Sequence, residues 1–208
     1  MADNGKVIYL ISSSSAYDES SIPKISEFLK SKGYTIETKY LNQQISDFGY
    51  VNTDKERGKN IINALTDDNV KYLWFVRGGS GVINIFPYLY KNREDINKSK
   101  EKVIIGFSDV TAIHYFLNNH IGWKSVHGIV AAYNKDIYND GEHERISMNN
   151  NFDQVFEAIK KVSHITALFP LIHRLNLAFR GCWGEGILHC FSLYFLLNMR
   201  NTYQIRYY

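Results

Sequence analysis

The sequence predicts an α/β fold built on a parallel, doubly wound sheet over residues 1–132. Two observations carry this. Short apolar runs alternate with amphipathic helical stretches along the first part of the chain. Several of those runs open into loops of glycine or small hydroxyl residues, the pattern of strands whose carboxyl ends line one edge of a sheet.

The first run, Lys6 to Ile11, reads as a buried strand and ends in Ser12-Ser13-Ser14-Ser15. Such a loop either meets a ligand or serves as a solvated connection. Ser21 to Lys32 is helical: Ser21 is a candidate N-cap, Pro23 is tolerated in the first turn, and Ile22, Ile25, Phe28 and Leu29 form one stripe. Gly33 supplies the stop. Tyr34 to Leu41 alternates as a second strand. Thr53-Asp54-Lys55-Glu56 spells a capping box, with the Thr53 hydroxyl accepting from the Glu56 amide while Glu56 reaches back. The helix that follows runs to about Thr66, with Ile61, Ile62 and Leu65 inward. Lys71 to Val76 is a third, strongly apolar strand. It opens into Arg77-Gly78-Gly79-Ser80-Gly81, where glycines permit positive φ and close approach of backbone to a ligand. Bare N–H groups in such a loop suit an anion or an oxyanion; a tight turn is the alternative use. Neither Gly-x-Gly-x-x-Gly nor Gly-Lys-Ser/Thr is present here, so no dinucleotide or P-loop site is read. Val82 to Tyr90 is a short helix, and Lys91 to Lys102 is charged and solvated.

The organising stretch is Val103-Ile104-Ile105-Gly106-Phe107-Ser108-Asp109-Val110-Thr111-Ala112. Apolar residues run into Gly106 and helix-compatible residues follow Thr111, so a strand, a sharp turn and a helix start are expected. A serine at that turn projects its hydroxyl above the sheet edge, beside the N–H groups of the helix start. Acyl transfer needs that geometry. The same Ser108 and Asp109 also suit helix capping, and spacing alone leaves both uses open. The helix reaches about Asn119, and Trp123 to His127 is a further short strand. Tyr133 to Asn151 is polar and irregular, a linker. Phe152 to Val162 is a helix with Phe152, Val155, Phe156 and Ile159 on one face. From Ile165 the periodicity is lost, through a glycine-rich stretch at residues 181–188 and a dense apolar run at Phe191 to Leu197.

Composition excludes several classes. Apolar residues make up 45% and charged residues 22% of 208, and the net charge of +3 is scattered without a Lys/Arg cluster. That argues against nucleic acid as a partner. No segment reaches the roughly 20 apolar residues of a membrane span, and the amino-terminal apolar run is too short for a signal core. Cys182 and Cys190 form neither a metal motif nor a disulfide framework, and a reducing cytoplasm is the expected setting.

Taken together, Asn52-Thr53-Asp54-Lys55-Glu56-Arg57, Phe75-Val76-Arg77-Gly78-Gly79-Ser80-Gly81, Ile105-Gly106-Phe107-Ser108-Asp109-Val110-Thr111-Ala112-Ile113-His114 and His127-Gly128 occur in the order and spacing of the LD-carboxypeptidases. That family includes muramoyltetrapeptide carboxypeptidases and microcin C self-immunity peptidases. The resemblance covers about residues 5 to 163. It implies a flavodoxin-like or class I amidotransferase-like sheet, followed by a C-terminal domain that is incomplete in this sequence. It implies Ser108 as the nucleophile of a Ser-Glu-His triad, and backbone N–H groups near Gly79 and at Asp109 as the oxyanion hole. Arg77, Gly78 and Ser80 are the expected substrate contacts. The implied reaction releases a terminal D-amino acid from a small peptide or muropeptide, as in peptidoglycan recycling, without metal or cofactor. Family members are often homodimeric. The sequence departs from the family where Ser12-Ser13-Ser14 replaces Ala-Pro-Ser, where Ser80 replaces a tyrosine, and where Ile129 replaces a proline. The family's glutamate and histidine lie beyond the last motif that this sequence matches. The expected organisation is therefore a nucleophile domain at 1–132, a linker and helix at 133–164, and a poorly ordered remnant of the second domain at 165–208. The expected activity is that of a peptidase lacking its base. The alternative is a module that binds a peptide or muropeptide without cleaving it.

Overall fold

The computed structural model describes residues 6–132, 137, 152–162 and 202–204. Its strands are β1 (Val7–Ile11), β2 (Thr35–Tyr40), β3 (Tyr72–Phe75), β4 (Val103–Gly106), β5 (Ser125–His127) and β6 (Thr202–Gln204). They form one sheet in the order β2-β1-β3-β4-β5-β6, and every pairing is parallel. The first five strands follow the flavodoxin-like order, which reverses between β1 and β3. The expected fold class is therefore the observed one.

The helices are α1 (Ser21–Ser31), α2 (Asp54–Thr66), α3 (Phe86–Lys91), α4 (Arg93–Lys98), α5 (Thr111–Phe116) and α6 (Phe152–Val162). Parallel strands are buried on both faces, and strict side-chain alternation divides them between two cores. Ile8, Leu10, Trp74 and Ile105 join α1, α6 and Ile129, Ala131 and Ala132 on one face. Ile11, Leu73, Phe75 and Ile104 join α2, α3, α4 and α5 on the other. Trp74 is fully buried. Its ring meets that of Phe152 edge-on with centroids 4.8 Å apart, and its indole N–H donates to the Ile129 carbonyl at 3.0 Å. The four apolar residues predicted for one face of α6 are all buried.

Local differences from the sequence reading have physical causes. Ser21 is the first residue of α1 and not its cap. Its hydroxyl donates to the Asp18 carbonyl at 2.6 Å, while the Asp18 carboxylate takes the Ser20 amide at 2.9 Å. The Thr53 hydroxyl does accept from the Glu56 amide, at 3.3 Å. The reciprocal half of the capping box is replaced, because Asn52 Oδ1 accepts from the Thr53 amide at 2.8 Å. The stretch read as solvated between Lys91 and Lys102 contains α4, whose Ile96 is buried, and Lys102 itself is buried. The Lys102 ammonium donates to the Lys100 carbonyl at 2.8 Å and sits 5.1 Å from the centre of the Trp123 ring. Val82 to Ile85 forms a 3-10 turn before α3, and Leu117 to Ile121 continues α5 as a π-helical turn. Among the described residues no helix is long and apolar enough to cross a membrane. Most of the predicted linker, the cysteines and the glycine-rich stretch at 181–188 lie outside the described residues.

Candidate active site

In an open parallel sheet, the crevice at the strand carboxyl ends, where the order reverses, is the usual place for a ligand. Here the loops following β1, β3 and β4 meet at that edge. Ser15 N–H donates to the Gly78 carbonyl at 3.3 Å, and Val76 N–H to the Ile11 carbonyl at 2.9 Å. The segment after β2 closes the edge: Ala16 N–H donates to Gly49 O at 2.9 Å and Val51 N–H to Ser14 O at 3.0 Å.

Ser108 occupies a strained elbow. β4 ends at Gly106 and Phe107 is extended. Ser108 then turns into the left-handed region with φ 61°, the only non-glycine residue among those described to do so. A left-handed conformation costs an L-residue about 1–2 kcal/mol, and such strain gathers at functional sites. Gly106 lets the turn close, since a Cβ there would lie 2.5 Å from Val110 Cγ1. Val110 and the rest of a 3-10 turn then lead into α5. Neither helical start is capped by a side chain, so the capping use of Ser108 and Asp109 is not realised. Ser108 is half-buried, and no described residue exchanges a hydrogen bond with its hydroxyl. Strand, strained serine and helix form a sharp elbow, a geometry that exposes the serine hydroxyl at the sheet edge as acyl-transfer nucleophiles require.

The glycine loop packs onto this elbow. A Cβ on Gly78 would lie 3.0 Å from the Phe107 carbonyl oxygen and 3.4 Å from Ser108 Oγ, so only glycine fits comfortably between the two loops. Gly79 has φ +120°, and its missing Cβ would strike Ser15 Oγ at 2.1 Å. Gly79 and Ser80 are exposed and Gly78 is buried. Arg77 is half-buried and donates from its guanidinium to the Ala16 carbonyl, which braces the loop after β1. Asp109 turns its carboxylate towards the glycine loop and accepts from the Val82 amide at 3.1 Å. Burial pushes the Asp109 carboxyl above its usual range, against the Ser14 hydroxyl, the Val82 hydrogen bond and the nearby Arg57 charge. All six residues expected at the site thus gather at one sheet edge, with Gly78 in direct contact with the serine turn.

Arg57 was given no role in the sequence reading. Its side chain is fully buried. The guanidinium donates to the Ser13 carbonyl, to Asp54 Oδ1 and to the Gly81 carbonyl at 3.1 Å. Its centre lies 4.4 Å from the centre of the Tyr50 ring. The available signal was periodicity: Arg57, Ile61, Ala64 and Leu65 share the buried stripe of α2, and an arginine there needs polar partners at the sheet edge.

Two histidines lie beneath the elbow and both are occupied. His127 Nε2 is 3.1 Å from Thr111 Oγ1, and His114 Nε2 is 3.3 Å from the Gly106 carbonyl. Their rings are 5.8 Å apart. Burial holds His114 down at about 3, with the His127 charge adding to it, and burial holds His127 at about 4. Both are therefore neutral at neutral pH. They support the turn from behind, and no hydrogen bond joins either to Ser108.

Fold and elbow together define a doubly wound α/β domain that presents a strained serine next to a glycine loop. Residues 8–128 match the family model of the LD-carboxypeptidase N-terminal domain, and the chain belongs to that family. Proteins named as carboxypeptidases in Rickettsia conorii and Rickettsia prowazekii are 35% and 34% identical over 122 residues, 57% of this chain and 35% of each relative. The wild-type microcin C7 self-immunity protein MccF superposes with a TM-score of 0.60 at 20% identity, covering 83% of this chain and 51% of that one. Muramoyltetrapeptide carboxypeptidase from Oxalobacter formigenes gives 0.56 at 21% identity, covering 73% and 48%. The chain thus spans about a third of the length of these curated relatives and about half of the solved chains. MccF has also been solved in complex with aspartyl sulfamoyl adenosine.

Proposed function

We propose that this chain carries the nucleophile and oxyanion half of a serine LD-carboxypeptidase acting on a small peptide, a murein tetrapeptide in cytoplasmic peptidoglycan recycling being the favoured substrate. The observation that carries this is the left-handed Ser108 at the end of β4, with Gly78 packed against it.

In this reading Ser108 Oγ attacks the carbonyl before the terminal D-alanine. The developing oxyanion is met by the backbone N–H groups of Gly79 and Asp109, and each such donor is worth roughly 10²–10³ in rate. Arg77, Gly78 and Ser80 form the wall against which the peptide lies. The hydroxyl needs a base to take its proton. His114 and His127 are bonded elsewhere and buried, so the base and the carboxylate that orients it come from outside the described residues. Without them only residual catalysis is left, some 10³–10⁴ over water in well-studied serine proteases.

The same occupied histidines favour a second reading, a peptide-binding module without turnover. D-alanine release from a murein tetrapeptide separates the two. Slow release that disappears in Ser108→Ala supports the peptidase half. Release unchanged in that variant removes Ser108 as nucleophile. Tetrapeptide binding that is unchanged in Ser108→Ala, with no release by the wild-type chain even at alkaline pH, supports the module.

A further inference from the structure

We propose that Arg57 is a positioning residue that sets the distance between the loop after β1 and the glycine loop, and so holds the Gly79 N–H in line with Ser108. For the last step this inference rests on the peptidase reading above; the clamp itself does not.

The glycine loop has little of its own to keep it in place. Gly79 and Gly81 both have positive φ, and neither has a side chain to anchor. What fixes the loop must reach its carbonyl groups or close against its bare backbone. Arg57 does the first. One terminal nitrogen holds the Ser13 carbonyl. The other holds Gly81 O and is itself held by Asp54 Oδ1. A guanidinium is rigid, planar and always charged, so two carbonyls bonded to its two ends are held at a fixed separation. Tyr50 covers the guanidinium, and the same ring occupies the space where Gly81 would carry a Cβ, 2.7 Å from that position. The clamp therefore closes on Gly81 from two sides.

The other side of the glycine loop is tied to the nucleophile. Asp109, next to Ser108, accepts from Val82 N–H, the residue after Gly81. Gly79 lies between these anchors and the Ser15 contact, with Gly78 seated against Phe107 and Ser108. A shift of Gly81 is thus transmitted to both neighbours of the serine. A lysine at position 57 keeps the charge but gathers its donors on one nitrogen, where the guanidinium has two set apart. It cannot hold both carbonyls and Asp54 together.

Two measurements on the full chain test this. Amide hydrogen exchange is followed at Ser15, Ala16, Val51 and Val82, whose N–H groups bridge the loops, with α1 as internal control. In Arg57→Lys the four amides are expected to exchange at least 10-fold faster while α1 keeps its rate. The milder Asp54→Asn, which removes only the anchor of the guanidinium, moves the same amides less and keeps the test open if Arg57→Lys does not fold. The second measurement is labelling of Ser108 by an alkyl fluorophosphonate, in which Oγ bonds to phosphorus, fluoride leaves and the hydroxyl proton passes to solvent. The maximal labelling rate is expected to fall roughly 10²-fold in Arg57→Lys, the size of losing one oxyanion donor, with half-saturating probe concentration unchanged. Unchanged exchange at the four amides overturns the clamp. Faster exchange with an unchanged labelling rate overturns the link to Ser108. A wild-type chain that takes no label even at alkaline pH, where hydroxide removes the proton in place of a base, yet shows the exchange difference, overturns the serine-nucleophile reading and leaves the clamp standing.

Discussion

Replacing Ser108 by glycine should leave the protein more stable than replacing it by alanine. Both variants remove the hydroxyl, so both lose any reaction at that oxygen. They differ in what they ask of the backbone. At φ 61° alanine keeps the cost of the left-handed region, about 1–2 kcal/mol. Glycine adopts that region freely but loses about 0.5–1 kcal/mol more conformational freedom on folding than alanine does. The difference favours Ser108→Gly by about 0.5–1 kcal/mol, which for a chain of this size is about 1–4 °C in melting temperature. The contacts around the elbow do not reverse this. The neighbours of Ser108 are Phe107 and Gly78 backbone, and its hydroxyl bonds no described residue, so neither variant strands a partner. Thermal unfolding followed by circular dichroism reads the difference directly. A Ser108→Gly protein that melts at or below Ser108→Ala would show that the elbow is not strained, and the argument from strain to nucleophile would fall with it.

Acid should weaken the fold through the buried histidines. His114 and His127 are held near 3 and 4 in the folded state, against an ordinary value of 6.5. Between about pH 6.5 and 4 the unfolded chain binds protons there that the folded chain does not, so stability falls with falling pH, together by about 3–4 kcal/mol from pH 7 to 5. Urea midpoints across that range read this, and His127→Asn should remove about half of the slope. Asp109→Ala leaves the buried Val82 amide without its acceptor and should cost about 1–3 kcal/mol. The Asp109 backbone N–H stays in place, so the variant separates loop anchoring from the oxyanion donation proposed for that N–H. A denaturation midpoint equal to that of the wild type would refute the anchoring role.

Much of this architecture was legible because its signals are local. Gly33 ends α1 through its own positive φ, and the Thr53 hydroxyl caps α2 over three residues. Strands β1, β3 and β4 show in the sequence as short apolar runs, because both of their faces are buried. The serine and glycine loops were legible as motifs, since both require residue types that few other settings need. What was hidden depends on contacts far apart in sequence. Lys102 looks like one more charge in a polar run, and only the fold shows its ammonium set over the Trp123 ring. Arg57 falls on the buried stripe of α2 by periodicity, but its partners are hidden until the fold brings up Ser13, 44 positions away. The capping box was half right because the Thr53 amide had two possible acceptors, and the sequence pattern does not rank Asn52 against Glu56.

The histidines make the division of labour in this domain concrete. A serine base must be able to accept a proton near neutral pH and must reach Oγ. His127 fails the first condition through burial, and its Nε2 is occupied by Thr111 Oγ1. His114 fails it more severely, with Nε2 on the Gly106 carbonyl and Nδ1 buried without a partner. Such a pair is costly to keep, since two polar rings are withdrawn from water and neither is repaid by an ion pair. Their position gives the cost a rationale. Gly106 and His127 are register partners across β4 and β5, and Gly128 N–H donates to the same Gly106 carbonyl that His114 meets. Two donors on one carbonyl pin the last peptide of β4, with only Phe107 between it and the strained residue. Strain of 1–2 kcal/mol persists only where the flanking backbone cannot relax. The histidines therefore act on Ser108 through the strand, by denying it an escape, and in the proposed peptidase reading neither of them is the base.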